Sequence, residues 1–212
     1  MKILILTSCT GKKKSKPENQ LTLDDFRSGQ KHLEQRTEEL KEHLVPAGEL
    51  YTGGQHLCLL RALNHFRHNF PKHQWDLKIV SAGYGLLSED DQVVPYEVTF
   101  NTMRVNELRE WADFLQLPQT VGNVLGQYDL TFFLLGKEYL KAIHLPETLP
   151  GSQAYLFLTA SAEMKQIPQA EKMFALYREE VTTRGQNLWA LYSAFTNYAT
   201  YADERNGFKM RE

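Results

Sequence analysis

Short apolar runs alternate along the chain with longer segments in which apolar residues recur every three or four positions. The runs predict four strands, over residues 2–7, 76–81, 129–135 and 154–159. Few polar residues interrupt them, which is typical of strands that are covered on both faces. Because helical patterns lie between the runs, the sequence predicts an α/β fold, a three-layer, Rossmann-like and mostly parallel sheet of at least four strands with flanking helices.

Helical periodicity is clearest after residue 52. Thr52 and Gln55 have the spacing of a capping box, and they precede an apolar stripe at helical spacing formed by Leu59, Leu63, Phe66 and Phe70. The same kind of pattern predicts further helices over residues 104–117, 168–181 and 186–203. We expect these helices to cover the two faces of the sheet.

A highly charged segment over residues 23–44 predicts one more helix, with only a thin apolar seam: Phe26, Leu33, Leu40 and Leu44. Such a helix gains little from burial, so we expect it to protrude as an insertion in a single α/β domain over residues 1–212. An arm, a lid, a partner contact, a weak coiled-coil seam joining two chains as a homodimer, and a plain solvated surface helix all remain open.

Composition narrows the classes of protein without naming one. The 212 residues are 42% hydrophobic with a net charge of −2, which fits one compact domain and excludes a globally basic binder. No apolar run reaches the length of a membrane span, so we expect a cytoplasmic protein without a membrane partner. Two cysteines are too few for a disulfide framework, and His65 and His68 lie on a polar helix face, so no metal or cofactor is predicted.

Candidate chemistry follows the predicted strands, because open parallel sheets bind ligands beyond the carboxyl ends of their strands. Small, hydroxyl-bearing or glycine residues follow all four strands, at residues 8–14, 82–86, 136–139 and 160–162. From the third of these ends we select Gly136 as a ligand-binding residue and Lys137 as a catalytic one. This recurrence indicates where a site lies.

The loop after the first strand has the features of an anion site. Five lysines precede the first acidic residue, Glu18, and Gly11 allows a ligand to approach the backbone. Thr7 and Lys13 stand where an NTPase phosphate loop needs glycine and serine or threonine, so we do not expect an NTPase loop here. The candidate ligand-binding residues are Ser8, Cys9, Thr10, Gly11 and Lys12. A solvated flexible loop is the alternative.

Two further segments supply aromatic and acidic candidates. Gly83, Tyr84 and Tyr96 are predicted to frame a planar ring, together with Ser81, and Tyr51 lies just before a helix start. The candidate catalytic carboxylates are Glu49, Glu89 and Asp91, with Asp90 between the last two. A glycine-rich turn with structural aromatic residues, and a capping loop without a ligand, are the alternatives for these two segments.

The order of these motifs resembles a family of uncharacterised small Rossmann-like proteins of bacteria and phages. The motifs are Ser-Cys-Thr-Gly-Lys-Lys at 8–13, Ala-Gly-Glu-Leu-Tyr-Thr-Gly at 47–53, and Ser-Ala-Gly-Tyr-Gly-Leu at 81–86, followed by Pro95 and Tyr96. Some members are labelled as similar to the YaaA peroxide-stress family, and residues 136–139 resemble the family's third strand end. The resemblance spans about residues 1–145, leaves the charged segment unexplained, and implies a remote similarity to nucleobase-handling and DNA-glycosylase-like enzymes.

These features lead to a first functional hypothesis, a protein that binds a nucleobase, nucleoside or nucleotide at the strand ends. If it is an enzyme, hydrolysis of an N-glycosidic bond suits the parts, with a carboxylate orienting water and Lys12 or Lys137 stabilising the departing base. The alternative is a non-catalytic module that binds nucleic acid or protein through the lysine-rich loop and the charged helix. A redox-responsive protein acting through Cys9 is a third hypothesis.

Overall fold

The computed structural model of the protein describes residues 1–149, 151–159, 167–168 and 170–177. Within these ranges the chain forms ten strands: β1 (Lys2–Ser8), β2 (Leu21–Thr22), β3 (Val45–Pro46), β4 (Gln74–Ser81), β5 (Gly85–Ser88), β6 (Gln92–Val93), β7 (Tyr96–Glu97), β8 (Leu130–Leu134), β9 (Ala154–Thr159) and β10 (Lys172–Tyr177). Its helices are α1 (Leu23–Arg27), α2 (Gln30–Glu39), α3 (Ala47–Leu50), α4 (Gly54–Asn69), α5 (Val105–Phe114), α6 (Leu117–Leu125) and α7 (Lys137–Ile143), with 3-10 turns at Lys41–His43 and Phe100–Thr102.

The main sheet has six strands in the order β10-β9-β8-β1-β4-β5. Five of them run parallel, and only β5, at one edge, is antiparallel to its neighbour β4. All four strands predicted from apolar runs are present in it. The prediction of a mostly parallel α/β sheet with flanking helices is confirmed.

Strand β1 lies in the centre of the sheet, and its sequence explains why. Ile3, Leu4, Ile5 and Leu6 are all buried, although successive side chains of a strand point to opposite faces. Both faces of β1 are therefore covered, as a run without polar alternation predicts.

The charged segment differs from the single helix predicted for it. Gly29 has a φ of +92°, a conformation that L side chains rarely adopt, and it separates α1 from α2. The prediction of one continuous helix is therefore wrong. Helix α2 has no buried side chain, whereas Phe26 in α1 and Leu40 after α2 are buried in the core.

The helix predicted over residues 168–181 is also corrected. Residues Lys172–Tyr177 form β10, which pairs with β9 along six residues. A short apolar run is compatible with either structure, and the open edge of β9 offers backbone hydrogen-bond partners that decide for a strand. The helix predicted over residues 186–203 lies outside the described residues.

Two smaller observations complete the fold. The helix predicted over 104–117 is broken at Gln116, whose φ is +54°, so that α5 ends and α6 begins there. Among the described residues, no helix has the length and apolar character needed to span a membrane.

Candidate functional site

The strand order creates a crevice at the carboxyl ends of β1 and β8. The strand that follows β1 in the sheet is β4, which lies toward one edge, whereas β8 is followed by β9, which lies toward the opposite edge. Adjacent parallel strands whose connections diverge in this way form a topological switch point, the usual ligand site of open α/β sheets. Cys9 follows β1 and Tyr139 belongs to α7 after β8, and the Cys9 Sγ lies 3.0 Å from the Tyr139 Oη.

The loop after β1 is hydrogen-bonded to the chain that leads into α4. The Thr52 N–H donates to the Lys12 carbonyl at 2.9 Å, and the Lys14 N–H donates to the Leu50 carbonyl at 2.8 Å. The Gly53 N–H donates to the Thr10 Oγ1 at 3.3 Å. A Cβ on Gly53 would lie 2.9 Å from the Thr10 side chain, so this close approach requires glycine. Thr10, Gly11 and Lys12 are thereby held beside the start of α4.

The start of α4 has no side-chain cap. Gly53 is the N-cap residue, so the capping box predicted from Thr52 and Gln55 is wrong. The Thr52 Oγ1 is instead buried, without a hydrogen-bond partner among the described residues. The first amide groups of an uncapped helix carry partial positive charge and favour an anion. Gly11 and Gly54, on either side of this junction, have open space where a Cβ would be.

Beneath the crevice, polar side chains form what we call the hydroxyl cluster: Cys9, Tyr51, Ser81, Tyr96 and Tyr139. The Tyr96 hydroxyl lies 2.7 Å from the Ser81 Oγ and 2.9 Å from the Tyr51 Oη. Burial is the main cause that raises the pKa of Tyr51, Tyr96 and Tyr139 above the usual value. The hydroxyls therefore stay protonated and are able to donate hydrogen bonds.

Lys13 covers this cluster. Its Nζ lies 4.5 Å from the centroid of the Tyr96 ring, the geometry of a cation–π contact. Burial lowers the pKa of Lys13 from its usual value, an effect opposed by the charges of Cys9 and Glu97. Lys13 was not among the residues selected from the sequence.

The aromatic half of the predicted site is filled by protein. The Phe26 ring packs edge to face against Tyr84 and Tyr96, with centroids 5.0 and 5.8 Å apart. A Cβ on Gly83 would lie 2.7 Å from Phe26. The Tyr84 hydroxyl donates to the Val94 carbonyl at 3.2 Å. Gly83, Tyr84 and Tyr96 therefore come together as predicted, but around Phe26 rather than around an open cavity.

The side chains of the predicted carboxylates make separate contacts, although the backbones of their segments meet. The N–H groups of Ala47 and Gly48 donate to the carbonyls of Asp91 and Glu89, both at 2.8 Å. Glu49 is exposed and forms an ion pair with Lys14 at 2.9 Å, beside the loop after β1. Strand β5 runs antiparallel to β4, so the chain returns along β4 and Glu89 lies away from the carboxyl edge of the sheet. There Glu89 forms an ion pair with Arg67. Arg67 also donates to the carbonyl of Trp75, near the amino end of β4.

Some of the remaining predicted residues lie at the crevice, and others lie away from it. The Asp91 carboxylate accepts the Ser88 N–H at 2.7 Å, at the far end of β5, and Asp90 next to it is exposed. Ser8 ends β1, while Gly136 and Lys137 are exposed at the start of α7. Ser8, Gly136 and Lys137 are therefore at the crevice, and Asp91 is not. The fourth predicted strand end, at 160–162, lies outside the described residues.

Metal ligation finds no support in the part of the chain that the structure describes. No group of three or more histidine, cysteine, aspartate or glutamate side chains there is arranged to hold an ion. His65 and His68 are exposed on α4, as the polar-face interpretation expects.

Sequence reasoning missed Tyr139 and Lys13 as members of the site. Tyr139 lies in the Gly-Lys-Glu-Tyr segment after β8, but nothing in the sequence shows that β8 pairs with β1. Lys13 is one of three consecutive lysines, and it is distinguished from the other two by its backbone pairing with Tyr51. That pairing joins segments far apart in the chain.

Comparison with known proteins places the chain in a family. The model of a family of unknown function, DUF6884, matches residues 33–175, which is more than half of the chain. The chain belongs to this family. The prediction of an uncharacterised family is confirmed, and no curated protein or solved structure matches the chain. The matched residues of DUF6884 include Tyr51, Ser81, Tyr96 and Tyr139, whereas β1 and its lysine loop precede them.

Proposed function

We propose that the protein binds a nucleoside or nucleotide in the crevice between the carboxyl ends of β1 and β8. One observation carries the proposal: the loop after β1 is hydrogen-bonded to the uncapped start of α4 at a topological switch point. This junction combines backbone amides, an open glycine and a cluster of lysines. Such a combination is suited to a phosphate group, and nucleotides are the usual ligands of switch points in open α/β sheets.

The parts of the crevice have separate roles in this proposal. The phosphate lies against Gly11, Lys12 and the first amides of α4, where Gly54 leaves the backbone accessible. The sugar and base extend toward Gly136 and Lys137 on the β8 side, because the space between Tyr84 and Tyr96 is taken by Phe26. The base is therefore recognised by polar groups rather than stacked between tyrosines.

Hydrolysis of an N-glycosidic bond is the reaction we propose for this site. Glu49 is the one predicted carboxylate whose contacts place it beside the loop after β1, through its ion pair with Lys14. In the reaction Glu49 orients the attacking water, and Lys137 or Lys12 stabilises the departing base as an anion.

A thermal-shift screen tests the proposed function directly. Purified protein is heated with nucleobases, nucleosides, nucleoside monophosphates and short oligonucleotides, each in excess. A ligand at a hundredfold excess over its Kd stabilises the folded state by about 2.7 kcal/mol. We expect a shift with one nucleoside or nucleotide class, reduced in Lys12→Met and kept in the matched control Lys31→Met, whose exposed lysine lies on α2.

Other results of the same screen would change the assignment. A shift with oligonucleotides alone, falling steeply with added salt, would replace the small-ligand proposal by a nucleic-acid-binding module. No shift with any compound would overturn the proposal. If a nucleoside does bind, release of free base measured by chromatography, and its loss in Glu49→Gln, tests the hydrolysis step.

A further inference from the structure

The outer face of α4 carries positive charge without any acidic residue. Residues 50–75, which include the whole helix, contain no aspartate or glutamate. One row of residues recurs every three or four positions and therefore lies along one side of α4. We call it the α4 stripe: Gly54, Cys58, Arg61, His65 and His68. Cys58 is partly exposed and the other four are exposed, as is Lys72 just after the end of the helix.

The two arginines of α4 differ in their partners. Arg67 is half-buried and forms an ion pair with Glu89. Arg61 is exposed and forms no ion pair with a carboxylate in the described part of the chain. Its Nε donates to the Leu57 carbonyl at 3.3 Å, and its Nη2 donates to the Cys58 Sγ at 3.1 Å. Because both contacts lie on the preceding turn, the Arg61 guanidinium is turned toward the start of α4.

Several cations on the other helices are matched by acids. Arg36 of α2 pairs with Glu39, and Lys141 of α7 pairs with Glu138 at 3.0 Å. The α4 stripe has no such acids and continues from the start of α4, where the exposed Lys12 is held. In a chain whose net charge is −2, this one-sided basic surface is complementary to a negatively charged partner.

The length of the α4 stripe favours a polymer as that partner. An α-helix rises about 1.5 Å per residue, so the distance along the axis from Gly54 to His68 is about 21 Å. A mononucleotide held at the start of α4 covers only the first part of this length. The backbone of a nucleic acid repeats its negative charge along the strand and is able to follow the whole stripe.

We propose that the α4 stripe, with Lys72 at its end, binds the backbone of a single-stranded nucleic acid. This inference rests on the proposed function and deepens it, because the nucleotide in the crevice is then one unit of a strand rather than a free metabolite. A single strand is favoured over a duplex, since a base stacked inside a duplex does not reach a crevice. Arg61 contacts phosphates that a mononucleotide lacks, so it distinguishes the two kinds of ligand.

Binding measurements on matched variants test this surface. The probes are the four common nucleoside monophosphates and single-stranded DNA and RNA of about twelve nucleotides, within the usual range of single-strand sites. They are titrated into wild type, Arg61→Gln and the control Arg109→Gln, whose exposed arginine lies on α5. We expect an oligonucleotide to bind wild type at least about tenfold more tightly than any monophosphate. Arg61→Gln should lower only the oligonucleotide affinity, by about fivefold at 0.1 M salt, and Arg109→Gln should leave it unchanged.

Salt dependence gives a readout that a structural role of Arg61 would not move. Each phosphate contact of a single strand contributes about −0.7 to the slope of log K against log salt concentration. Arg61→Gln should therefore make the slope shallower by about 0.7, and the double variant with Lys72→Gln by about twice that amount. Weaker binding with an unchanged slope would overturn the phosphate contact. Unchanged thermal unfolding of the ligand-free variants shows that they are folded.

A third measurement uses the thiol beside Arg61. Cys58 is partly exposed on the stripe, whereas Cys9 is buried and serves as an internal reference. Wild-type protein is alkylated with iodoacetamide, with and without a saturating oligonucleotide, and the labelled cysteines are located by mass spectrometry. We expect the oligonucleotide to protect Cys58 several-fold. Equal labelling of Cys58 in the free and the bound protein would contradict a strand that follows α4.

The outcomes separate this inference from the proposed function. If monophosphates bind but oligonucleotides bind no more tightly, or if Arg61→Gln behaves like Arg109→Gln, the α4 surface is overturned and the nucleotide proposal stands. If oligonucleotides bind through Arg61 while no monophosphate binds, the α4 surface stands and the small-ligand proposal falls. Tighter binding of duplex DNA, or equal Arg61-dependent binding of phosphatidylserine vesicles, would overturn the single-strand assignment. If no probe binds wild type, both proposals fall.

Discussion

The ends of β1 and β4 look alike in sequence and differ in structure. Each strand ends in a short segment with glycine and hydroxyl residues, and both segments were expected to face a ligand. At the end of β1, Gly11 has open space where a Cβ would be. At the end of β4, a Cβ on Gly83 would lie 2.7 Å from Phe26. One end is open at the switch point, and the other is packed.

The difference teaches that a glycine at a strand end has two opposite uses. Gly11 leaves backbone accessible to solvent, whereas Gly83 makes room for an aromatic ring from the protein itself. The ring comes from α1, in the charged segment that breaks at Gly29. The neighbouring element, rather than the glycine, decides whether such an end binds a ligand or completes the core.

Among the tests of this comparison, removal of the Phe26 ring should cause the largest loss of stability. Phe26 is 5% exposed and packs against Tyr84 and Tyr96, so Phe26→Ala leaves a cavity and should cost about 3–4 kcal/mol of unfolding free energy. Phe114→Ala is the matched control, because Phe114 is 59% exposed, and it should cost less than about 1 kcal/mol. Urea unfolding followed by circular dichroism measures both, and equal costs would show that Phe26 is not a core residue.

Methyl groups added at the two glycines should have unequal effects. Gly83→Ala places a Cβ against the buried Phe26 ring and should destabilise the fold by about 1–3 kcal/mol. Gly11→Ala meets no atom within 4 Å and should change stability by less than about 0.5 kcal/mol.

A double-variant cycle identifies the cause. The cost of Gly83→Ala should shrink when Phe26 is already alanine, because the two positions share one space. Undiminished cost in that background would mean that Gly83 is required for another reason. Unfolding in urea of the four proteins in the cycle gives the coupling.

The strands of the sheet could be predicted from the sequence because their signal is local. An uninterrupted apolar run reports burial on both faces, and the runs at residues 2–7, 76–81, 129–135 and 154–159 all became strands. The segment Lys172–Tyr177 was predicted as part of a helix but forms a strand, because an apolar run of this length fits either structure until its partner β9 is known. The local sequence pattern therefore predicts where strands lie better than it predicts which strands pair with each other.

The site was predicted in part for the same reason. The position of Cys9, Thr10 and Lys12 at a strand end follows from local sequence, and the loop after β1 does lie at the switch point. The selection of Lys13 and Tyr139 requires the pairing of β1 with β8 and of Lys13 with Tyr51, which are contacts between distant segments. Glu89 was misplaced in space because the turn at Gly85, with its φ of +79°, sends β5 back along β4.

Loss of the Tyr96 hydroxyl should have an intermediate effect. Tyr96→Phe removes the shared partner of Ser81 and Tyr51, so two buried groups lose a hydrogen bond, at a cost of about 1–2 kcal/mol. Tyr84→Phe removes two bonds with the backbone of Val94, at 3.2 and 3.3 Å, but from a half-buried ring that solvent reaches more easily, and it should cost less. Thermal unfolding of the two variants compares them, and a larger loss in Tyr84→Phe would contradict the central place of Tyr96.

Acid should loosen the segment that holds Phe26 in place, and this is the smallest effect we expect. Asp25, next to Phe26, is 14% exposed and accepts hydrogen bonds from Thr22, His32 and Arg36. Burial alone would raise the pKa of Asp25, but these hydrogen bonds outweigh it and lower the pKa to about 2. The unfolded chain therefore binds the proton more readily than the folded one.

The sign of the pH dependence follows from that difference. The stabilisation from Asp25 is complete above its unfolded value of 3.8 and is lost as the pH falls toward 2. The difference in unfolding free energy between wild type and Asp25→Asn, about 1 kcal/mol at pH 5, should therefore decrease toward pH 2. Asp24→Asn, at the adjacent exposed carboxylate, is the matched control and should show a smaller and flatter difference. A difference for Asp25→Asn that stays constant from pH 5 to pH 2 would contradict the role of its charge.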